Sequence, residues 1–319
     1  MKTISTIRQE EAAMKSNLKK SAVFAGCSLL MLTACSGATA QISNAGDVLF
    51  QVGDVSVTRG TEYELIKKSN GSTMAVTLIE QAIMDEEIGR GDDIKKQAEE
   101  QYETNTSGSK EFEQSLIDAG YKDKDDYIEK VIIPTIQQEK LLDKYFKDNA
   151  KAIKKEYKPS IAKILMCDNK DDANNALQAL KDGTDAQTVF DQYASESATY
   201  GNEEIVVSTL LKDSIPTYVI NTLYSAKETG VIDEVMSDDN DSSGAYYVAI
   251  LTSNDYDENR AKIQEALVSK ASSDIAKECN VYYMKKHNLE IHDQDIFDAL
   301  RTSNPEYLIN HPELAEEDH

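Results

Sequence analysis

Apolar and polar positions alternate along residues 47–57, DVLFQVGDVSV, on either side of Gly53-Asp54. A period of two around such a pair predicts two short strands joined by a tight turn. The period then lengthens to that of a helix. Tyr63, Leu65 and Ile66 open one helical stripe, which Asn70-Gly71-Ser72 is expected to break. Met74, Leu78, Ile79, Ala82 and Ile83 give the i, i+4 spacing of the next. Residues 91–105 are almost purely polar and predict a solvated helix. Phe112, Leu116 and Ile117 line another, which Gly120 is placed to stop. Tyr127, Ile128, Val131 and Ile132 begin a helix that continues through Leu141, Leu142 and Tyr145, with Pro134 expected to kink it. The stretch 61–157 therefore reads as all-helical.

The character changes at Lys158-Pro159. Ile161–Met166 reads as a strand, Ala173–Leu180 as a helix ended by Asp182-Gly183, and residues 185–196 as a second helix. Ile205–Leu211 is strand-like, Pro216–Ala226 a short helix, and Val231–Met236 and Tyr246–Leu251 two further strands. The predicted order is β-α-α-β-α-β-β. From Asn259 the helical stripe returns at Ile263, Leu267, Ile275 and Val281; a strand-like LEIH and a polar tail follow. The fold class expected is α+β.

The chain has 319 residues, long enough for about two domains. Its formal net charge of -23 argues against nucleic acid as a partner, because phosphate binding needs clustered Lys and Arg. Before the first predicted strand lies KSNLKKSAVFAGCSLLMLTAC, residues 15–35. Lys15, Lys19 and Lys20 form a basic segment. Ala22–Leu32 is apolar but too short to span a bilayer. The segment ends Leu32-Thr33-Ala34-Cys35 and resembles a bacterial lipoprotein signal, which implies cleavage before Cys35 and lipid attachment to it. Glu10 and Glu11 are out of place in such a leader, so Met14 rather than Met1 is a candidate start. Several acyl chains on Cys35 would anchor the chain to the outer face of a membrane. Residues 36–46, SGATAQISNAG, then read as a tether. Cys167 and Cys279 are the cysteines left beyond this segment, too few for a disulfide framework, with a single bridge between them left open.

The strand IAKILM, the helix ANNALQALKDGTD, the segment VFDQYASES, the stretch IPTYVINTLYSAKETGVIDEV and the closing GAYYVAIL together resemble a parvulin-type peptidyl-prolyl isomerase domain. The helical blocks on either side, FEQSLIDAGYKDKDDYIEKVI above all, resemble the chaperone domain of PrsA-type foldase lipoproteins and of the related SurA chaperones. The resemblance implies a signal peptide at 1–34, a tether at 35–46 and the first part of a helical chaperone domain at 47–157. A parvulin-like domain inserted at 158–254 would follow, then a completing helix at 255–291 and a polar tail at 292–319. It also implies an extracytoplasmic, membrane-anchored factor. Its partners would be unfolded exported proteins, with homodimerisation left open and no cofactor or metal needed.

Prolyl isomerisation faces a barrier of about 18–20 kcal/mol. Parvulins resemble one another in meeting it with two histidines and a Cys or Asp beside an apolar groove. By the same resemblance, the first histidine falls on Lys163, the second on Tyr247, and the Cys/Asp position near Glu196. The groove falls on Leu165, Tyr218, Leu223 and Tyr224, and the family's Gly-Gly-Asp-Leu-Gly becomes Gly201-Asn202-Glu203-Glu204-Ile205. No alignment is needed to see that the four histidines are His287, His292, His311 and His319, so none lies between 35 and 286. That excludes Ser-His-Asp and Cys-His catalysis in the middle unit. A strongly hydrated Lys163 ammonium does not replace a neutral imidazole. Lys163 and Tyr247 then read either as ordinary strand residues or as an altered cluster with Glu196. Asp239, Asp241, Ser243 and Gly244 resemble the start of a calcium loop, but Ile250 stands where such a loop needs Glu. The sequence reading is a folding factor whose isomerase chemistry has decayed. An active isomerase with an altered site and a solute-binding transport lipoprotein are the rivals. The third needs repeated βαβ units, which the helical block 61–157 opposes.

Overall fold

Strands β1 (Val48–Val52) and β2 (Val55–Thr58) form the expected hairpin, turned by Gly53 at a φ of +61°. This is the first feature of a computed structural model that describes residues 42–106, 110–237, 244–311 and 314. The sequence segments read as leader, lipid-bearing Cys35 and most of the tether lie outside the described residues, as do Asp239, Asp241 and Ser243. The described chain is mostly helical with a small antiparallel sheet, an α+β composition. It divides into two compact units. One comprises the described residues up to Leu141 and from Glu278 onward, the other Leu142–Lys277.

In the first unit, helix α1 (Arg59–Glu87) starts at a Thr58 cap and runs straight through Asn70-Gly71-Ser72, where a break was expected. Its buried positions Lys67, Ala75 and Ile83 recur every two turns on both sides of the glycine. Packing along that stripe outweighs the cost of about 1 kcal/mol for a mid-helix glycine. Helix α2 (Asp92–Thr106) is not simply solvated, because Ile94, Ala98, Tyr102 and Thr106 make a buried i, i+4 stripe. Helices α3 (Lys110–Asp118) and α4 (Lys124–Tyr127) follow. Ile94, Ala98 and Leu116 share a core with Ile128, Ile132 and Ile136. Residues Ile128–Ile132 form a π-helical turn that leads into α5 (Ile133–Asp148). Pro134 therefore sits in the first turn of α5, and the wide turn before it makes room for its missing N–H and bulky ring.

The second unit holds α6 (Ala150–Tyr157), β3 (Ser160–Cys167), α7 (Lys170–Lys181), α8 (Ala186–Tyr193), β4 (Ile205–Val207) and α9 (Thr217–Ser225). Short strands β5 (Gly230–Val231) and β6 (Met236–Ser237) precede β7 (Tyr246–Ser253). The sheet order is β4-β3-β7-β5, with β6 also on β7, and every pairing is antiparallel. Its two faces are covered differently. Leu165, Cys167 and Val248 pack under α7 and α8, whereas Ala162, Ile164, Ala249 and Leu251 pack with Val219, Ile220 and Leu223 of α9.

Helix α10 (Arg260–Lys286) leaves helical geometry at Ala271, with φ -140° and ψ 48°. The LEIH segment is not a strand but an irregular connection. The residues expected as a polar tail contain α11 (Gln294–Ser303), capped by Asp293 and burying Leu300, followed by buried Tyr307 and Leu308. Polar composition hid this segment because Lys67, rather than an apolar face alone, secures it.

Candidate functional site

Side chains on a strand alternate between faces, so register decides which site residues can meet. On β3, Lys163 shares parity with Leu165 and Cys167, on the face under α7 and α8, and stands opposite Ile250 of β7. Its ammonium donates to Asn202 Oδ1 at 3.0 Å, and Asn202 Nδ2 donates to Gln187 Oε1 on α8 at 2.9 Å. Glu196 occupies the turn after α8. There Ser195 N–H donates to the Met166 carbonyl at 2.8 Å, but the Glu196 side chain is exposed. The Lys163 cation is thus met by an amide rather than by Glu196. Nearby, Glu204 accepts from Lys262 at 3.2 Å, and this bond holds its carboxyl below the usual value despite some burial.

Tyr247 stands opposite Met166 and Met236, is 5% exposed, and belongs to the core on the α9 face. Lys163 and Tyr247 are therefore on opposite faces of one sheet, and the structure does not bring the two together. The neighbouring Tyr246, opposite Cys167, is the tyrosine that shares the face of Lys163. A shift of one residue in reading β7 separates the two assignments, which the repeated Tyr246-Tyr247 pair makes invisible in sequence.

The four groove residues separate in the same way. Leu165 and Leu223 are fully buried, on opposite faces. Tyr224 is half-buried. Tyr218 is 50% exposed, and its hydroxyl reaches Glu234 Oε2 at 3.3 Å. Of the four, Tyr218 and Tyr224 are open to a ligand. A cavity of about 360 Å³ lies beside edge strand β4, walled by Ile205, Val206 and Leu211 and by Lys262, Ala266 and Ser269 of α10. Sequence reading missed it. The signal available was the i, i+4, i+7 row of Lys262, Ala266 and Ser269, a helix face too small and polar for a core.

The helical unit has its own concave surface. Leu78, Ile79, Ala82 and Ile83 of α1 face Met284 and Leu289 across a groove of about 440 Å³. Its rim carries Glu86 and His287, and Glu87 accepts from both Lys286 and His287 at 2.6 Å. The lining is apolar and includes a methionine, a side chain that adapts to irregular partners. Leu78, Leu65, Ile66 and Ile117 are exposed on the same unit.

Among the described residues no three His, Cys, Asp or Glu side chains converge as metal ligands. Cys167 and Cys279 are both free and buried, and burial pushes each thiol up to about 12, far from a reactive thiolate. No described helix is long and apolar enough to cross a membrane.

No protein-family model matches this chain, and no curated protein sequence matches it. Among solved structures it is similar to the peptidyl-prolyl isomerase PrsA of Bacillus cereus, at 18% identity over 82% of this chain and 99% of that one, with a TM-score of 0.47. It is similar also to the foldase PrsA of Streptococcus pneumoniae, at 18% identity over 81% and 99%, with a TM-score of 0.36. PrsA of Bacillus subtilis is a third, at 19% identity over 81% and 100%, with a TM-score of 0.35.

Proposed function

We propose that this chain is an extracytoplasmic folding factor that holds unfolded exported proteins and has lost prolyl isomerase chemistry. The observation that carries the reading is the open apolar groove between α1 and the end of α10, rimmed by charge and flanked by exposed Leu78. Contiguous apolar surface with a polar rim is what a soluble protein keeps when it binds apolar segments. In the second unit, the order of elements from β3 to β7 supports the parvulin-like reading of IAKILM to GAYYVAIL. There, Lys163 bonded to Asn202, Tyr247 buried on the other face and Glu196 in solvent make no convergent cluster to polarise an imide. That unit serves as a second peptide-contacting body through Tyr218 and Tyr224. Lipid on Cys35 anchors the chain outside the cell membrane.

Two assays on one preparation test this, using residues 35–319 with Cys35→Ser. Cis-to-trans isomerisation of a short X-Pro peptide should not be accelerated, while aggregation of an unfolded client should be suppressed. Ile79→Asp in the groove should weaken suppression. Acceleration that Lys163→Ala removes would instead establish an active isomerase with an altered site, and no suppression at all would end the folding-factor reading.

A further inference from the structure

The β1–β2 ribbon has one apolar face, most of it exposed. Register places Phe50 opposite Val57 and Val52 opposite Val55, so these four side chains project from the same side. Gln51 and Ser56, also opposite each other, project from the other. Phe50, Val52 and Val55 are 57%, 74% and 68% exposed. No other described strand pairs with the ribbon. A two-stranded hairpin with an exposed apolar face is marginal in water and calls for a covering surface.

The position of the ribbon in the chain says which surface. Asp47 N–H donates to the Asn44 carbonyl, Arg59 N–H to the Asp47 carbonyl and Gly60 N–H to the Ala45 carbonyl, at 2.8–3.0 Å. The chain is thus tied to the start of α1 from about residue 44. Between Cys35 and the first described residue, Ile42, lie seven peptide steps, at most about 25 Å when fully extended. The ribbon, five residues long and about 17 Å, begins at Val48, six residues after Ile42, so any lipid on Cys35 would keep it near the membrane. Several acyl chains on Cys35 would hold the chain at the membrane, and an apolar face resting in the interface would add a second, closely placed contact. Asp54 stands in the turn itself, and a carboxylate there opposes entry tip first and favours the ribbon lying flat.

We propose that the Phe50–Val52–Val55–Val57 face of this hairpin lies in the lipid–water interface as a second membrane contact. The geometry rests on the lipid-anchored reading of Cys35. The test separates the two, because it uses protein without lipid. The chain contains no Trp, so Phe50→Trp in residues 35–319 with Cys35→Ser supplies a single reporter. Adding phosphatidylcholine vesicles should shift its emission to the blue and carry the protein into the vesicle pellet. Val52→Asp and Val55→Asp should each weaken that binding about tenfold or more. Gln51→Asp, on the polar face, should leave it unchanged. Both apolar variants change exposed positions, and unaltered far-UV circular dichroism confirms that the helices persist. A blue shift that appears without vesicles as concentration rises, with a doubled mass by light scattering, would overturn the proposal in favour of a second copy. A shift only on adding an unfolded client would overturn it in favour of client capture. Lipid on Cys35 is read independently, by mass spectrometry of the protein from cells.

Discussion

Glu80 is a carboxylate held against its preference for water. Burial raises its pKa above the usual 4.5, although Tyr307 Oη and Asn280 Nδ2 donate to Oε1 at 2.6 and 2.7 Å and pull the other way. A carboxyl with a raised folded pKa binds its proton more tightly folded than unfolded, so stability falls as pH rises from 4.5 through the folded value. Glu80→Gln keeps an acceptor for both donors and removes that loss. Its melting temperature should equal or exceed that of the parent at pH 7, with a flatter profile just above pH 4.5. A Gln variant markedly less stable than the parent at pH 7 would show that the charge itself is needed. At this scale sequence legibility was uneven. The absence of histidine from 35–286 was plain, and it excludes a histidine-based site in the middle unit. That Lys163 would turn to Asn202, and that Tyr247 would face away, depends on register, which one strand's sequence does not carry.

Elements were legible where one apolar stripe decides them. The hairpin, β3, α7, α9 and β7 lie within a few residues of where periodicity puts them. Misreadings came where another force won. Packing on both sides of Gly71 kept α1 whole, and a sparse buried stripe made α2 a core helix. The third case, α11, is fastened by charge. Lys67 Nζ lies 2.9 Å from Asp293 and 2.7 Å from Asp295, with Lys67 and Asp293 side chains only 5% and 9% exposed. Burial alone would lower the lysine's pKa, but the two carboxylates outweigh it and raise it. The clamp is therefore complete at neutral pH and is lost only as pH rises through the folded value, far into the alkaline range. Lys67→Met leaves the buried Asp293 carboxylate without its lysine and should cost about 3–5 kcal/mol. Amides of residues 296–303 should lose hydrogen-exchange protection before the rest of the unit. Adding Asp293→Asn should recover part of the loss, since the amide oxygen still caps α11 through the N–H groups of Asp295 and Ile296. A double variant no better than the single would mean the pair is not coupled.

At the scale of the whole molecule the dominant quantity is charge, with 57 acidic against 34 basic side chains. A field of that sign acts before contact. It speeds the encounter of basic unfolded chains and slows that of acidic ones, and salt screens it over a Debye length of about 8 Å at physiological ionic strength. On the function proposed, the apolar groove at Leu78–Ile83 and Met284 would act after contact, and burial of apolar side chains there is not screened. The two contributions divide between the rate constants. For a basic client the association rate should fall about tenfold or more from low to high salt. The dissociation rate should hardly move, and an acidic client of similar length should show the opposite trend in association. Stopped-flow binding of two labelled unfolded proteins of opposite charge reads both constants. Equal association rates for the two at low salt would mean that the acidic surface serves only solubility. A dissociation rate that rises with salt would place the holding contacts in ion pairs at the rim, Glu86 and Glu87 first, rather than in the groove.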